Sequence, residues 1–262
     1  RRPPRSTLFP YTTLFRSVSD VHLGAPALKN NHQRELLFAK WLDDISHDVK
    51  ELYLMGDIFD FWWEYKKVVP RGFTRIIGRI ANLTDRGIPV HFFTGNHDLW
   101  VFDYLPQEAG VVVHHNEFIT TMNGKKFFLA HGDGLDVNDK GYLMLKKIFT
   151  SRRLQWLYSR LHPNFALHLA HSWSKEIRNA KPVTEKEFKV KSEGMYQFAQ
   201  SYLEKEQIDY FIFGHRHQMA NEEIGENSKF ILLGDWIRNF SYGVWDGDKF
   251  ELRQIDFEGK GR

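Results

Sequence analysis

Five short apolar runs in this chain end alike. "ELYLMGD" stops at Gly56-Asp57, "VHFFTGNHD" at Gly95-Asn96, "KKFFLAHGD" at His131-Gly132, "IDYFIFGHRH" at Gly214-His215 and "KFILLGDW" at Gly234-Asp235. A continuous apolar run closed by glycine reads as a strand buried on both faces, because a half-exposed strand would alternate with polar residues. Between the early runs the spacing becomes helical, at Leu36, Leu37, Lys40, Trp41 and Asp44, then at Ile76, Ile77, Ile80 and Leu83, the second pattern closing on Gly87 as a helix C-terminus does. Alternating strands and helices imply a layered α/β sheet. Ligands of such sheets bind beyond the carboxyl ends of the strands, and that is where the polar clusters fall.

The clusters are Asp20 and His22 in "SDVHLG", Asp57 in "MGDIFD", Asn96, His97 and Asp98 in "GNHD", His131 in "AHGD", and His215 and His217 in "GHRH". Each is weak alone. Together, in one order and each at a strand end, they supply donors that suit divalent metals. With no Cys among 262 residues, thiolate sites and disulfides are excluded, so the 13 His and the acidic residues must carry any metal chemistry. Two cations about 3.5–4 Å apart need a bridging anion and must position a water in line with the bond to be broken. Asp57 is the expected bridge, and Asn96 offers an uncharged amide oxygen. Imidazole mixed with carboxylate suits manganese, iron or zinc better than magnesium alone.

The order Asp-x-His, Gly-Asp, Gly-Asn-His-Asp, His, Gly-His-x-His resembles the calcineurin-like metallophosphoesterases from residue 18 to about 236. The resemblance implies an α-β-β-α sandwich with a helical lid insertion, and two divalent metal ions. One ion would take Asp20, His22, Asp57 and His217, the other Asp57, Asn96, His131 and His215. His97, paired with Asp98, would face the phosphate. "LYLMGDIFDFW", "HGDGLDVNDKGY", "LQWL", "SKE" and "LGDW" are similar to the UDP-2,3-diacylglucosamine hydrolases of lipid A biosynthesis. That likeness implies Mn2+, cleavage of a UDP-linked glycolipid to UMP and a diacylated sugar phosphate, and peripheral attachment to the inner face of the inner membrane. By the same likeness Asn96, His97, Asp139, Ser174, Arg178, Lys181 and His215 would contact the substrate. Many members of that group carry Arg where His97 stands. A permanent charge suits a sugar-phosphate leaving group, whereas an imidazole suits an alkoxide that needs a proton. A broader phosphodiesterase or monoesterase acting on nucleotides or other phosphoesters therefore stays open beside the lipid pyrophosphatase. A scaffold without catalysis would lack ligands, and none is missing.

Residues 1–17 have no periodicity and read as a non-native or disordered segment, leaving 18–262 as one domain. About 140–206 reads as the inserted lid, rich in bases and aromatics, among them Lys146, Lys147, Arg152, Arg153, Arg160, Trp156, Phe165 and Trp173. Its apolar stripe either packs on the core or sheathes acyl chains while the bases meet anionic headgroups. Asp60 and Glu64 read as structural or solvated. A net charge of +3 does not announce nucleic acid, and none is expected. No apolar run approaches the roughly 20 residues that span a bilayer and no signal peptide is evident, so a cytoplasmic protein is expected.

Overall fold

The computed structural model describes residues 15–136, 139–180 and 188–256. Along the chain come β1 (Phe15–Val18), α1 (Asn31–Ile45), β2 (Glu51–Leu54), α2 (Thr74–Asp85), β3 (Val90–Phe93), α3 (Tyr104–Ala109) and β4 (Val112–His114). Then follow β5 (Phe118–Met122), β6 (Lys125–Leu129), α4 (Lys140–Thr150), α5 (Arg152–Tyr158), α6 (Pro163–Ala180) and α7 (Gly194–Leu203). The last strands are β7 (Tyr210–Phe213), β8 (Met219–Ile224), β9 (Ser228–Leu233), β10 (Ser241–Trp245) and β11 (Phe250–Gln254).

They form two sheets, in the orders β11-β10-β1-β2-β3-β4 and β5-β6-β7-β9-β8. Period two decides which side chain meets which layer. In β2, Leu52 and Leu54 face the cluster shared with α1 and α2, while Tyr53 turns to the layer between the sheets. In β7, Tyr210 and Ile212 enter that same inner layer, whereas Phe211 and Phe213 meet Met195, Tyr196 and Ala199 of α7. The result is the expected α-β-β-α sandwich. Each fully buried Phe of the inner layer, such as Phe15 and Phe127, contributes about 1.5–3 kcal/mol relative to exposure.

All five apolar runs are strands. β1 to β4 pair in parallel, as do β6, β7 and β9, so the carboxyl ends of each set share one edge. α2 closes as its sequence predicts: Gly87 has φ 77°, its N–H reaches Thr84 O at 2.8 Å, and Ile88 N–H reaches Leu83 O at 3.0 Å. That is a Schellman ending, which needs the left-handed backbone that glycine gives freely.

Two expectations are corrected. Phe15, Arg16 and Ser17, assigned to a non-native or disordered segment, are buried in β1 between β10 and β2, with Arg16 paired to Asp48 at 2.7 Å. Residues 1–14 lie outside the described residues. The insertion of about 140–206 also divides: α4, α5 and α6 carry the helical segment, but α7 packs on the outer face of the second sheet and belongs to the sandwich. Neither α4 nor α5 buries a single residue. Among the described residues no helix is long and apolar enough to cross a membrane.

Candidate metal centre

The loops after β1, β2 and β3 are joined to one another before any ligand is considered. Asp20 N–H donates to Gly56 O at 3.1 Å and His22 N–H to Asp57 O at 2.9 Å, while Trp62 N–H reaches His97 O at 3.2 Å. From α1, the buried Arg34 guanidinium donates to the carbonyls of Val21, His22 and Trp236. Rigid loops matter because the site is strained. Positive φ occurs at Asp20 (55°), His22 (47°), Asp57 (54°), His215 (67°) and His217 (54°), five of eight such non-glycine residues among those described. Each costs on the order of 1–3 kcal/mol and persists only where its surroundings over-determine it.

The strain aims the side chains at one another. Asp57 Oδ2 lies 3.5 Å from His131 Nε2 and 3.7 Å from His22 Nε2, which puts one carboxylate oxygen between two imidazoles. Asp20 Oδ1 lies 3.4 Å from His217 Nε2 and 3.8 Å from His22 Nε2. Among the described residues three sets of donor atoms, Asp20-His22-His217, Asp57-His131-His215 and His22-Asp60-His97, each lie within 4.8 Å of one another. Close backbone approach makes this possible, since a Cβ on Gly95 would sit on the Asp57 carboxylate.

The second atom of each donor is already committed. Asp57 Oδ1 accepts from His97 N–H at 2.8 Å, and Asp20 Oδ2 accepts from Ser19 Oγ at 2.6 Å and His215 N–H at 2.8 Å. His131 Nδ1 donates to Met55 O at 2.8 Å, His217 Nδ1 lies 3.2 Å from Asp235 Oδ2, and His22 Nδ1 lies 3.2 Å from Asp60 Oδ1. Holding Nδ1 leaves Nε2 aimed inward, the arrangement by which proteins orient imidazole ligands. The inward atoms Asp20 Oδ1, Asn96 Oδ1 and His131 Nε2 are buried with no hydrogen-bond partner. Buried polar atoms without partners are expensive, and a pair of divalent cations would satisfy all three. The donor set fits that group.

Electrostatics agree. Burial alone would lower His22 and His131, but Asp20, Asp60 and Asp57 overcome it at His22 and raise it to about 9, and Asp57 above all raises His131 to about 10. Burial likewise opposes the charge on Asp20, yet His217, His22 and His131 bring it down to about 2. Protons on imidazole stand where metal charge belongs, so metal uptake releases protons. His215 differs: burial and the neighbouring His131 push it down to about 4, leaving it neutral and ready to ligate.

Not every expected role survives. Asp98 does not pair with His97. Its Oδ1 accepts from Gly95 N–H at 2.8 Å and Asp57 N–H at 3.2 Å, and its Oδ2 from Ile58 N–H at 2.8 Å and Phe59 N–H at 3.3 Å. Adjacent side chains on this turn diverge, and Asp98 is a buried clasp between the β2 and β3 loops. The partner of His97 is Asp60, whose carbonyl oxygen accepts from His97 Nδ1 at 2.8 Å. Burial lowers the His97 pKa, with Asp57 and Asp60 opposing. Asp60 thus serves both His22 and His97, a role its sequence position did not disclose, and Asp235 does the same for His217. Glu64 is structural, as expected: it accepts from Trp62 Nε1 at 3.0 Å and Asp103 N–H at 2.8 Å.

A cavity of about 840 Å³ opens from Asn96, His97 and His215 and runs beneath the helical segment, where Leu145, Ile148, Phe149, Leu154 and Leu169 line it. Asp139 lies on its wall and caps α4, accepting from Tyr142 N–H at 2.9 Å. Ser174 and Arg178 fall on α6 with side chains outside the described residues, as does the whole of Lys181.

A two-sheet sandwich with carboxylate and imidazole donors gathered at its strand ends defines a metal-dependent phosphoesterase. The chain belongs to the calcineurin-like phosphoesterase family, whose profile matches residues 16–219, and it is a hydrolase that uses divalent metal. It is 37% identical over 252 residues to the UDP-2,3-diacylglucosamine hydrolase of Porphyromonas gingivalis, covering 91% of this chain and 96% of that one. It is 26% identical to the enzyme so named from Histophilus somni (84% and 90% covered) and 27% identical to that of Vibrio parahaemolyticus (94% and 99%).

Proposed function

We propose that the chain hydrolyses the pyrophosphate bond of UDP-2,3-diacylglucosamine, releasing UMP and 2,3-diacylglucosamine 1-phosphate. The observation that carries this reading is the cavity that joins Asn96, His97 and His215 to an apolar wall on α4, α5 and α6. A phosphoesterase for small polar esters has no use for such a wall, whereas the acyl chains of a lipid substrate would be sheathed by it. The names of the relatives at 37%, 26% and 27% identity support the same substrate.

In this reading Asp20, His22, Asp57 and His217 hold one ion, and Asp57, Asn96, His131 and His215 the other, with manganese as the metal. When bound, the pair supplies positive charge at the attacked phosphoryl group and activates water. The chain's own residues do the rest. Asp60 O fixes the proton of His97 on Nδ1, so Nε2 faces the cavity and donates to a phosphate oxygen only when the ring is protonated. The apolar wall excludes water from around the reacting phosphate, which strengthens each charge interaction there.

The outer face of the helical segment suits a membrane surface. Met144 is 67% exposed, Trp156 57%, Leu157 55% and Phe165 57%, far more apolar exposure than a solvated helix needs. The Arg160 guanidinium lies 4.6 Å from the Trp156 ring centre, placing a cation beside apolar groups as binding to anionic headgroups requires. The protein would then work peripherally on the inner face of the inner membrane.

His97 sustains one further reading, a phosphoesterase of broader scope acting on nucleotides or other phosphoesters. One assay separates the two. Offered UDP-2,3-diacylglucosamine with Mn2+, the protein is expected to release UMP stoichiometrically with the lipid phosphate. Cleavage of bis(p-nitrophenyl) phosphate with no UMP from the lipid would overturn the lipid reading in favour of the broader one.

A further inference from the structure

A diphosphate brings two phosphates, and the metal residues account for only one of them. Charge near the second must come from the cavity wall. Among the described residues that line the cavity, Asp60, Asp136, Asp139 and Glu193 are acidic and Arg216 is the single Lys or Arg. Lys146, on the adjoining helix α4, is committed to Asp133, with Nζ 2.7 Å from Oδ2 and 3.0 Å from the carbonyl oxygen.

Arg216 is fixed at its root and accessible at its tip. It stands between His215 and His217, whose φ values are 67° and 54°, and its N–H donates to Gly214 O at 2.8 Å. Its side chain is 45% exposed. The guanidinium forks onto Glu193, Nε to Oε2 at 2.7 Å and Nη2 to Oε1 at 3.0 Å. With the Nε–Nη2 edge taken by Glu193, the Nη1–Nη2 end remains as a second fork that matches two oxygens of a phosphate.

We propose that Arg216 binds the second phosphate of the substrate, the one that departs, and that Glu193 holds the guanidinium on the cavity wall as a positioning residue. The inference rests on the pyrophosphatase reading. Taking the uridine-linked phosphorus as the one attacked, the oxygen of water bonds to it, the P–O–P bridge breaks, the bridging electron pair leaves on the sugar-linked phosphate, and the proton of the water passes to solvent. Arg216 neutralises charge there as it develops. It is thereby a specificity residue that selects diphosphates over esters with one phosphate.

The test compares Arg216→Ala, Arg216→Lys and the pair Arg216→Ala/Glu193→Ala, the last removing the carboxylate that the single change leaves unpaired. By calorimetry on the manganese-loaded protein, UDP is expected to bind more tightly than UMP, and Arg216→Ala to erase that preference, a loss on the order of 30-fold for UDP. Arg216→Lys keeps charge without the fork and is expected to fall between. The kcat/KM for UDP-2,3-diacylglucosamine should fall at least tenfold further than that for bis(p-nitrophenyl) phosphate. A UDP preference that survives in the double variant overturns the proposal. So does an equal loss on both substrates with loss of manganese, which would make Arg216 a brace for its neighbouring histidines. The UDP and UMP arm does not depend on lipid turnover, so failure of the pyrophosphatase reading shows separately as absent UMP.

Discussion

Asp57→Ala is expected to lower turnover by a thousandfold or more and to strip bound metal from the protein. The size follows from position. Asp57 Oδ2 lies between His22 and His131 and Oδ1 is tied to His97 N–H at 2.8 Å, while the neighbouring carboxylates are held by their own partners, Asp20 by Ser19 and His215 N–H and Asp98 by four backbone N–H groups. Removing it leaves two imidazoles facing one another across a buried site without the anion that lets two cations approach. Loss of several kcal/mol of charge stabilisation corresponds to on the order of a thousandfold in rate. Turnover of bis(p-nitrophenyl) phosphate together with metal content by plasma mass spectrometry checks it. A variant within tenfold of the parent, with full metal, would refute the bridging role.

His97→Ala should behave differently, losing on the order of 10–10² in rate, the worth of one hydrogen bond to a charged phosphate, while keeping its metal. His97 is held from the protein side, Nδ1 on Asp60 O, and lies on the cavity wall. The contact that its backbone N–H makes with Asp57 survives the substitution, so the bridging carboxylate keeps its orientation. The same two measurements decide the matter, and metal loss equal to that of Asp57→Ala would show His97 to be part of the metal cage.

The contrast between these residues was only partly legible in the sequence. Strand ends, the helix that closes at Gly87, and the gathering of Asp20, His22, Asp57, His131, His215 and His217 were readable, because each lies in a local pattern that burial or turn chemistry imposes. The division into two sheets was not, since runs such as "LYLM" and "FIF" look alike whichever layer they join. β8 reads "MANEEI" and exposes three consecutive residues on a sheet edge, so no apolar run announces it.

Buttressing was the least legible layer. Neighbours in sequence suggested His97 with Asp98, yet Asp98 collects four backbone N–H groups and Asp60 takes over His97. Such pairings depend on how the loops after β2 and β3 are laid against each other, which spacing does not encode. Asp60 left a trace in "GDIFD", a second carboxylate three residues beyond the bridge, and Asp235 another in "LGDW" at a strand end. The inserted helices misled at their far boundary because α7 has an apolar face like its neighbours, and only the second sheet reveals that it is core.

Anomalous diffraction at the manganese edge from crystals soaked in Mn2+ tests the central claim most directly. Two peaks are expected on either side of the Asp57 carboxylate, one beside Asp20 and His217 and the other beside His131 and His215. A single peak, or two that do not share Asp57, would contradict the binuclear centre on which the proposed chemistry stands.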